Sequence, residues 1–288
     1  MKRWIIIWTF AFSLTSVQAQ KLDPNSLQLN YSTSALQQFT PFLSVSGSEN
    51  DSSLIEGFQK LVAKLEKKQN RRNSDYAFLR TIFYQTHSSL LLEYSRLATM
   101  DETLAKGKFG CLTGTAIYAI LLEHFGYDYE IVELPNHVFI HLKIDDKSYV
   151  FESTLQFGGF MRTPSEMDKI LEQPWVNQRR ISELSTVGQW FGDFEFFPSR
   201  YTIINLEQLA GLQYFNESAK YYLDKDYANA MDSALDAYAL YPSERNEKLM
   251  QLIINKILKY ETIKEEMKNL YLEKYVTSIK GKKLSQTK

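Results

Sequence analysis

The chain has 288 residues, with 33 basic and 34 acidic side chains and a formal net charge of −1 at pH 7. A chain so close to neutral lacks the electrostatic footprint of a nucleic-acid-binding protein, and its length allows one large domain or two smaller ones. Its single cysteine, Cys111, cannot form an internal disulfide, and in an oxidising compartment a lone thiol is either buried or used.

The first residues have the pattern of a secretory signal. Lys2 and Arg3 precede an apolar run, Trp4–Leu14, and small residues follow at the positions that a signal peptidase requires. We therefore expect a signal peptide over residues 1–19, export to the periplasm or the extracellular space, and no membrane span after cleavage. Residues 20–52 are polar, which predicts a linker or a loosely docked arm.

Periodicity predicts helices over residues 53–69 and 74–97, and a third helix from Cys111 to Gly126. The following segments YEIVEL, HVFIHLKI and SYVFEST are β-branched and aromatic, which indicates a short antiparallel sheet. A short helix is expected over residues 164–173, and the aromatic stretch 190–204 is expected to cover the core. The predicted fold class is therefore α+β, with one domain over residues 53–205.

Residues 206–288 have a helical pattern and form the predicted tail. One stretch has the offsets of a single tetratricopeptide repeat, at Tyr214, Ser218, Tyr221, Ala230, Ala237 and Pro242. An ordinary helical hairpin would give nearly the same pattern. Because one repeat cannot bury its own apolar face, the tail is expected to dock on the rest of the protein.

The position of Cys111 is suited to a nucleophile, although burial is the usual fate of a free cysteine. The apolar stripe that follows it and the glycines at 107 and 110 place it at the start of a helix. A helix N-terminus favours the thiolate, and its unpaired amides can form an oxyanion hole. Acyl chemistry at a thiol also requires an imidazole and a group that orients it.

Four histidines are candidates for that imidazole. His124 lies in the last turn of its helix, where a cation is favoured structurally, and His87 lies in mid-helix with no partner indicated. His137 and His141 lie on the same face of one strand but about 13 Å apart, so that only one can reach a given thiol. His137 stands at the mouth of the strand, where catalytic groups are commonly exposed, and is preferred.

The carboxylate follows from strand register. A two-residue turn at Asp145–Asp146 would pair Ile140 with Phe151 and place the apolar side chains of both strands on one face. Glu152 then becomes the diagonal neighbour of His137, within reach of a long side chain. A three-residue turn would instead move Glu152 to the apolar face, at a cost in free energy.

Three segments, GKFGCLTGTAIYAILLEHFGY, LPNHVFIHL and YVFESTLQFGGF, resemble the core of the transglutaminase-like superfamily over roughly residues 75–160. That superfamily contains papain-like transglutaminases, cysteine proteases and peptide amidases. The resemblance implies Cys111 as nucleophile, His137 as general base and Glu152 as orienting acid, where the family usually has Asp. It also implies an oxyanion side chain from an upstream helix, for which Gln85 and Tyr94 are candidates. The tail is similar to that of some exported bacterial members.

The resulting hypothesis is an exported thiol hydrolase or acyltransferase that acts on amide bonds of a protein or peptide substrate. The alternative is an inactive transglutaminase-like binding or assembly protein that uses the helical tail to dock a protein partner. No cofactor is expected, because the sequence has neither a phosphate-binding loop nor a His/Cys/Asp cluster with the spacing of metal ligands.

Overall fold

The fold is α+β, with helices that surround a small antiparallel sheet and a helical tail that follows it. The computed structural model describes residues 35–71, 73–174, 176 and 201–285. The helices are α1 (35–43), α2 (Glu56–Gln69), α3 (Asp75–Ser89), α4 (Met100–Lys106), α5 (Cys111–His124), α6 (Met167–Leu171), α7 (Leu206–Leu223), α8 (Tyr227–Leu240), α9 (Glu244–Lys259) and α10 (Glu265–Ser285). The strands are β1 (Glu93–Tyr94), β2 (Lys108–Phe109), β3 (Glu130–Leu134), β4 (His137–Ile144), β5 (Lys147–Phe151), β6 (Phe160–Thr163) and β7 (Thr202–Ile204).

The main sheet is antiparallel, with the strand order β6-β5-β4-β3-β7. Asp145 and Asp146 form the turn between β4 and β5. Their φ angles are 48° and 61°, as the two central residues of a type I′ hairpin turn require. Ile140 pairs with Phe151, so the predicted register is confirmed. A separate two-stranded parallel sheet joins β1 to β2.

The predicted helix over residues 74–97 is wrong at its C-terminal end, because α3 stops at Ser89. The next residues run extended beside the segment that leads to Cys111. The amides of Leu92 and Glu93 both donate to the carbonyl of Gly107, and the amide of Ser95 donates to the carbonyl of Phe109. Pairing with a distant segment has overridden the local helical preference.

The described part of the expected polar arm is ordered against the core. Residues 35–43 form α1, in which four side chains are fully buried: Ala35, Phe39, Phe42 and Leu43. The expectation of a loose arm is therefore wrong for these residues, since their apolar side chains share one helix face and the ring of Phe39 packs edge-on against that of Phe58. The expected signal peptide, residues 20–34 and the aromatic residues 190–200 lie outside the described residues.

Helix α5 forms the centre of the core and is apolar on nearly all sides, as expected of a helix that is covered all round. The tail has an apolar core of its own between α7, α8, α9 and α10. Its first helix contacts α5, and Leu209, Ala210 and Leu212 join the main core, so the tail docks on the rest of the protein as expected. No helix within the described residues has both the length and the apolar character needed to cross a membrane.

Candidate active site

Cys111 is the first residue of α5 and is half-buried. The chain enters the helix through Gly110, where a Cβ atom would lie only 2.7 Å from the carbonyl oxygen of Arg96. Only glycine fits this approach. The amide of Gly110 donates to the hydroxyl of Thr113 at 3.1 Å, which fixes the turn that precedes the thiol.

The amides of the first turn of α5 are available to a ligand. The N-cap residue is Gly110, so no side chain caps this end of the helix. The first N–H groups of any α-helix have no partner within the helix, and the helix dipole adds partial positive charge there. A negative charge that develops beside Cys111, on sulfur or on a substrate oxygen, is therefore stabilised.

His137 begins β4 and is 4% exposed. Its Nε2 atom donates a hydrogen bond to Oε2 of Glu152. Burial acts to lower the pKa of His137, but the charge of Glu152 and hydrogen bonds to Cys111 and Glu152 outweigh it and raise the pKa to about 10. The imidazole is thus poised to hold a proton between a carboxylate and a thiol.

The two ring nitrogens of His137 have different roles. Because Nε2 is occupied by Glu152, the interaction with Cys111 falls to Nδ1. That atom has no hydrogen bond of standard geometry among the described residues, although the thiol is close enough to help raise the pKa of the ring. Catalytic hydrogen bonds are often long before substrate binds.

Glu152 directly follows β5 and is fully buried. Oε2 bonds to His137, while Oε1 accepts a hydrogen bond from the amide of Thr154 at 2.9 Å and another from the Thr154 hydroxyl. Both carboxylate oxygens are therefore satisfied, which a buried charge requires. The structure thus brings Cys111, His137 and Glu152 together in one place, and the register argument had predicted that Glu152 lies beside His137.

Thr154 is a member of this cluster that sequence reasoning did not single out. A register that pairs Ile140 with Phe151 also sets Thr154 opposite His137, so a signal for it was present in the sequence. A second missed contact joins the helix to the strand, where the hydroxyl of Thr115 donates to the carbonyl of Val138 at 3.3 Å. The helix that carries the thiol and the strand that carries the imidazole are linked directly.

The other three histidines have structural surroundings. His141 bonds to Glu130 at 2.9 Å and to Ser148 at 3.2 Å, and His124 bonds to Glu66 at 3.1 Å. His87 is buried among aromatic rings, and this burial lowers its pKa against opposing effects of the Leu91 backbone and the Glu152 charge. The preference for His137 over His141 agrees with this geometry.

The two oxyanion candidates lie in different places. Gln85 is on α3 and lines a cleft of about 510 Å³ whose lining residues all belong to α2 and α3, so Cys111 is not among them. Tyr94 is 47% exposed on β1, where it pairs with Phe109, two residues before Cys111. Of the two, Tyr94 is the one that backbone pairing connects to the segment leading to Cys111.

Within the part of the chain that the structure describes, no group of three or more His, Cys, Asp or Glu side chains is arranged to hold a metal ion. Comparison of the chain with protein-family models, with curated proteins and with solved structures gives no significant match.

Proposed function

We propose that this protein is an exported thiol-dependent hydrolase or acyltransferase with a transglutaminase-like, papain-like core, and that it acts on amide bonds of proteins or peptides. The observation that carries the proposal is the arrangement around His137. One ring nitrogen bonds to a buried carboxylate, and the other is left for a cysteine at an uncapped helix N-terminus. Export is proposed from the predicted signal peptide at residues 1–19.

The reaction follows from the roles of the three side chains. With the thiol proton held on Nδ1 of His137, the sulfur of Cys111 attacks the carbonyl carbon of a glutamine side chain or a peptide bond. The amides at the start of α5 stabilise the oxyanion that forms. The C–N bond then breaks, His137 gives its proton to the leaving amine, and a thioester to Cys111 remains.

The second half of the reaction releases the acyl group. Water attacks the thioester carbonyl to give an acid, or a second amine attacks to give a new amide, and in both cases the thiol is restored. Glu152 keeps Nε2 protonated and stabilises the imidazolium that forms when the ring accepts a second proton. Its side chain is longer than the usual aspartate of the family, and its carboxylate reaches the ring.

Alkylation of the thiol tests the proposal without knowledge of the substrate. Cys111 is the only cysteine, so all iodoacetamide incorporation reports on it. We expect the folded protein to react well below pH 8 and His137→Ala to lose this reactivity at low pH. His141→Asn is the matched control, because His141 bonds to Glu130 and Ser148 instead; its profile should match that of the wild type.

A thiol that stays inert until the protein is denatured would contradict the enzyme and favour the binding or assembly protein. If the thiol reacts as expected, mass spectrometry of thioester adducts trapped on Cys111 from peptide mixtures would identify the acyl donor. The products formed in the presence of a simple primary amine such as methylamine would then show whether the acyl group passes to water or to an amine.

A further inference from the structure

A buried ion pair joins the helical tail to the sheet. Glu133 on β3 is 1% exposed, and its Oε1 atom lies 3.0 Å from Nη1 of Arg245 in the first turn of α9. The hydroxyl of Tyr241 donates to Oε2 at 2.7 Å. Because a buried carboxylate without partners is strongly disfavoured, these contacts fix the tail to this position of the strand.

Arg245 also contacts the turn that leads to His137. Its Nη2 atom donates to the carbonyl of Pro135 at 2.7 Å. Pro135 and Asn136 connect β3 to β4, and Leu134 pairs with His137 as the last pair of the ladder. The guanidinium is planar and rigid, so its two nitrogens fix the turn relative to Glu133 and the tail together.

His137 is therefore held on both sides along the chain. On one side the Thr115 hydroxyl of α5 bonds to the carbonyl of Val138, and on the other side Arg245 bonds to the carbonyl of Pro135. The first contact links the imidazole strand to the thiol helix. The contact of Arg245 with Pro135 links the imidazole strand to the tail. None of the contacts described above around Cys111, His137 and Glu152 is made by a residue of the tail.

We propose that Arg245 is a positioning residue, which holds the Pro135–Asn136 turn so that Nδ1 of His137 faces Cys111. This inference rests on the proposed function and deepens it, because it makes the helical tail a requirement for thiol activation. Misplacement of a reacting group by about 1 Å can reduce a rate by roughly a hundredfold, so a small shift of this turn is sufficient to matter.

Two variants test the inference. Arg245→Lys keeps a cation for Glu133, but a single ammonium cannot reproduce the two fixed directions of the guanidinium. The double variant Glu133→Gln, Arg245→Met removes the contact with Pro135 and leaves neither charge of this ion pair buried without its partner. Lys274→Met is the matched control, because Lys274 pairs with Asp232 at 2.7 Å within the tail, away from β3.

The readout is the alkylation rate of Cys111 in the full-length protein as a function of pH, together with the melting temperature. We expect both variants to fold and to react at least about tenfold more slowly than wild type at pH 6.5. At pH 10 their rates should match wild type, because ionisation of the thiol no longer depends on the imidazole. Lys274→Met should match wild type throughout. A purely structural role of Arg245 would change the melting temperature without this change of pH profile.

The outcomes separate the inference from the proposed function. A wild-type protein that reacts at pH 6.5, with folded Arg245 variants of unchanged profile, overturns the inference alone. A wild-type thiol that is unreactive at pH 6.5 and insensitive to His137→Ala overturns both. Failure of both variants to fold would assign Arg245 only to the docking of the tail and would also overturn the inference.

Discussion

The close contact between α5 and the segment that carries Glu152 can be tested with Gly114→Ala. Gly114 is buried in α5, and a Cβ atom there would lie 2.6 Å from Cβ and 2.7 Å from Oγ of Ser153. Non-bonded carbons normally stand about 3.5–4.0 Å apart, so helix and segment must separate by roughly 1 Å. Since Ser153 adjoins Glu152, the carboxylate moves with it.

Two opposing effects determine how Gly114→Ala changes the free energy of unfolding. Alanine in place of glycine inside a helix stabilises by about 1 kcal/mol, whereas overpacking of a tight core destabilises by about 1–3 kcal/mol. In a Ser153→Gly background both clashing atoms are gone, so only the first effect remains. Ser153 Oγ has no hydrogen-bond partner among the described residues, which means that its removal breaks none there.

The assay is a double-mutant cycle on the free energy of unfolding, measured by urea denaturation of the four proteins. We expect Gly114→Ala to be about 1–3 kcal/mol less favourable in the wild-type background than in Ser153→Gly, and to slow alkylation of Cys111 at pH 6.5 by tenfold or more. Gly57→Ala is the control, because a Cβ there meets only Leu90 at 3.4 Å and should be tolerated. Equal effects of Gly114→Ala in both backgrounds would refute the reasoning.

Two further predictions concern the carboxylate side of the site. The charge of Glu152 helps raise the pKa of His137 from 6.5 to about 10, so the native state retains a proton that the unfolded state loses between these values. The stability advantage of wild type over Glu152→Gln should therefore be largest near pH 6 and shrink toward pH 10 in urea titrations; an advantage that does not vary with pH would contradict this. Thr154→Val removes the hydroxyl, one of two hydrogen-bond donors to Oε1 of Glu152, and keeps the hydrogen bond from the Thr154 amide. We expect the activation of the thiol to weaken by about 1 kcal/mol, which lowers the alkylation rate of Cys111 at pH 6.5 roughly fivefold. An unchanged rate would count against a role for the hydroxyl.

The sheet and the candidate triad were predictable because two local signals agreed. The alternation of apolar side chains and the short Asp145–Asp146 turn allow only one register that buries an apolar face. That register brings Glu152 beside His137, and the structure has the same pairing. The position of Cys111 followed from the apolar stripe after it, since a helix that begins there buries that stripe.

Other features were not predicted, because they depend on contacts between distant segments or on a pattern that polar neighbours obscure. The apolar run through Leu90 and Leu91 favours continuation of α3, but the backbone of the next residues pairs with the segment after α4. The helical spacing of Phe39, Phe42 and Leu43 was present in the sequence and was obscured by the polar composition around it. Arg245 and Glu133 are distant in the chain, so only the folded structure shows that they meet.

His137, the proposed base, occupies the first position of β4, a strand that has neighbouring strands on both sides and the helix of Cys111 on one face. A residue at a sheet edge could detach while the remainder stayed intact, but this one can be released only if most of the central architecture gives way. On heating, each molecule should therefore either keep the arrangement of His137 with Cys111 or unfold. No long-lived population should stay folded after losing the reactivity of the thiol.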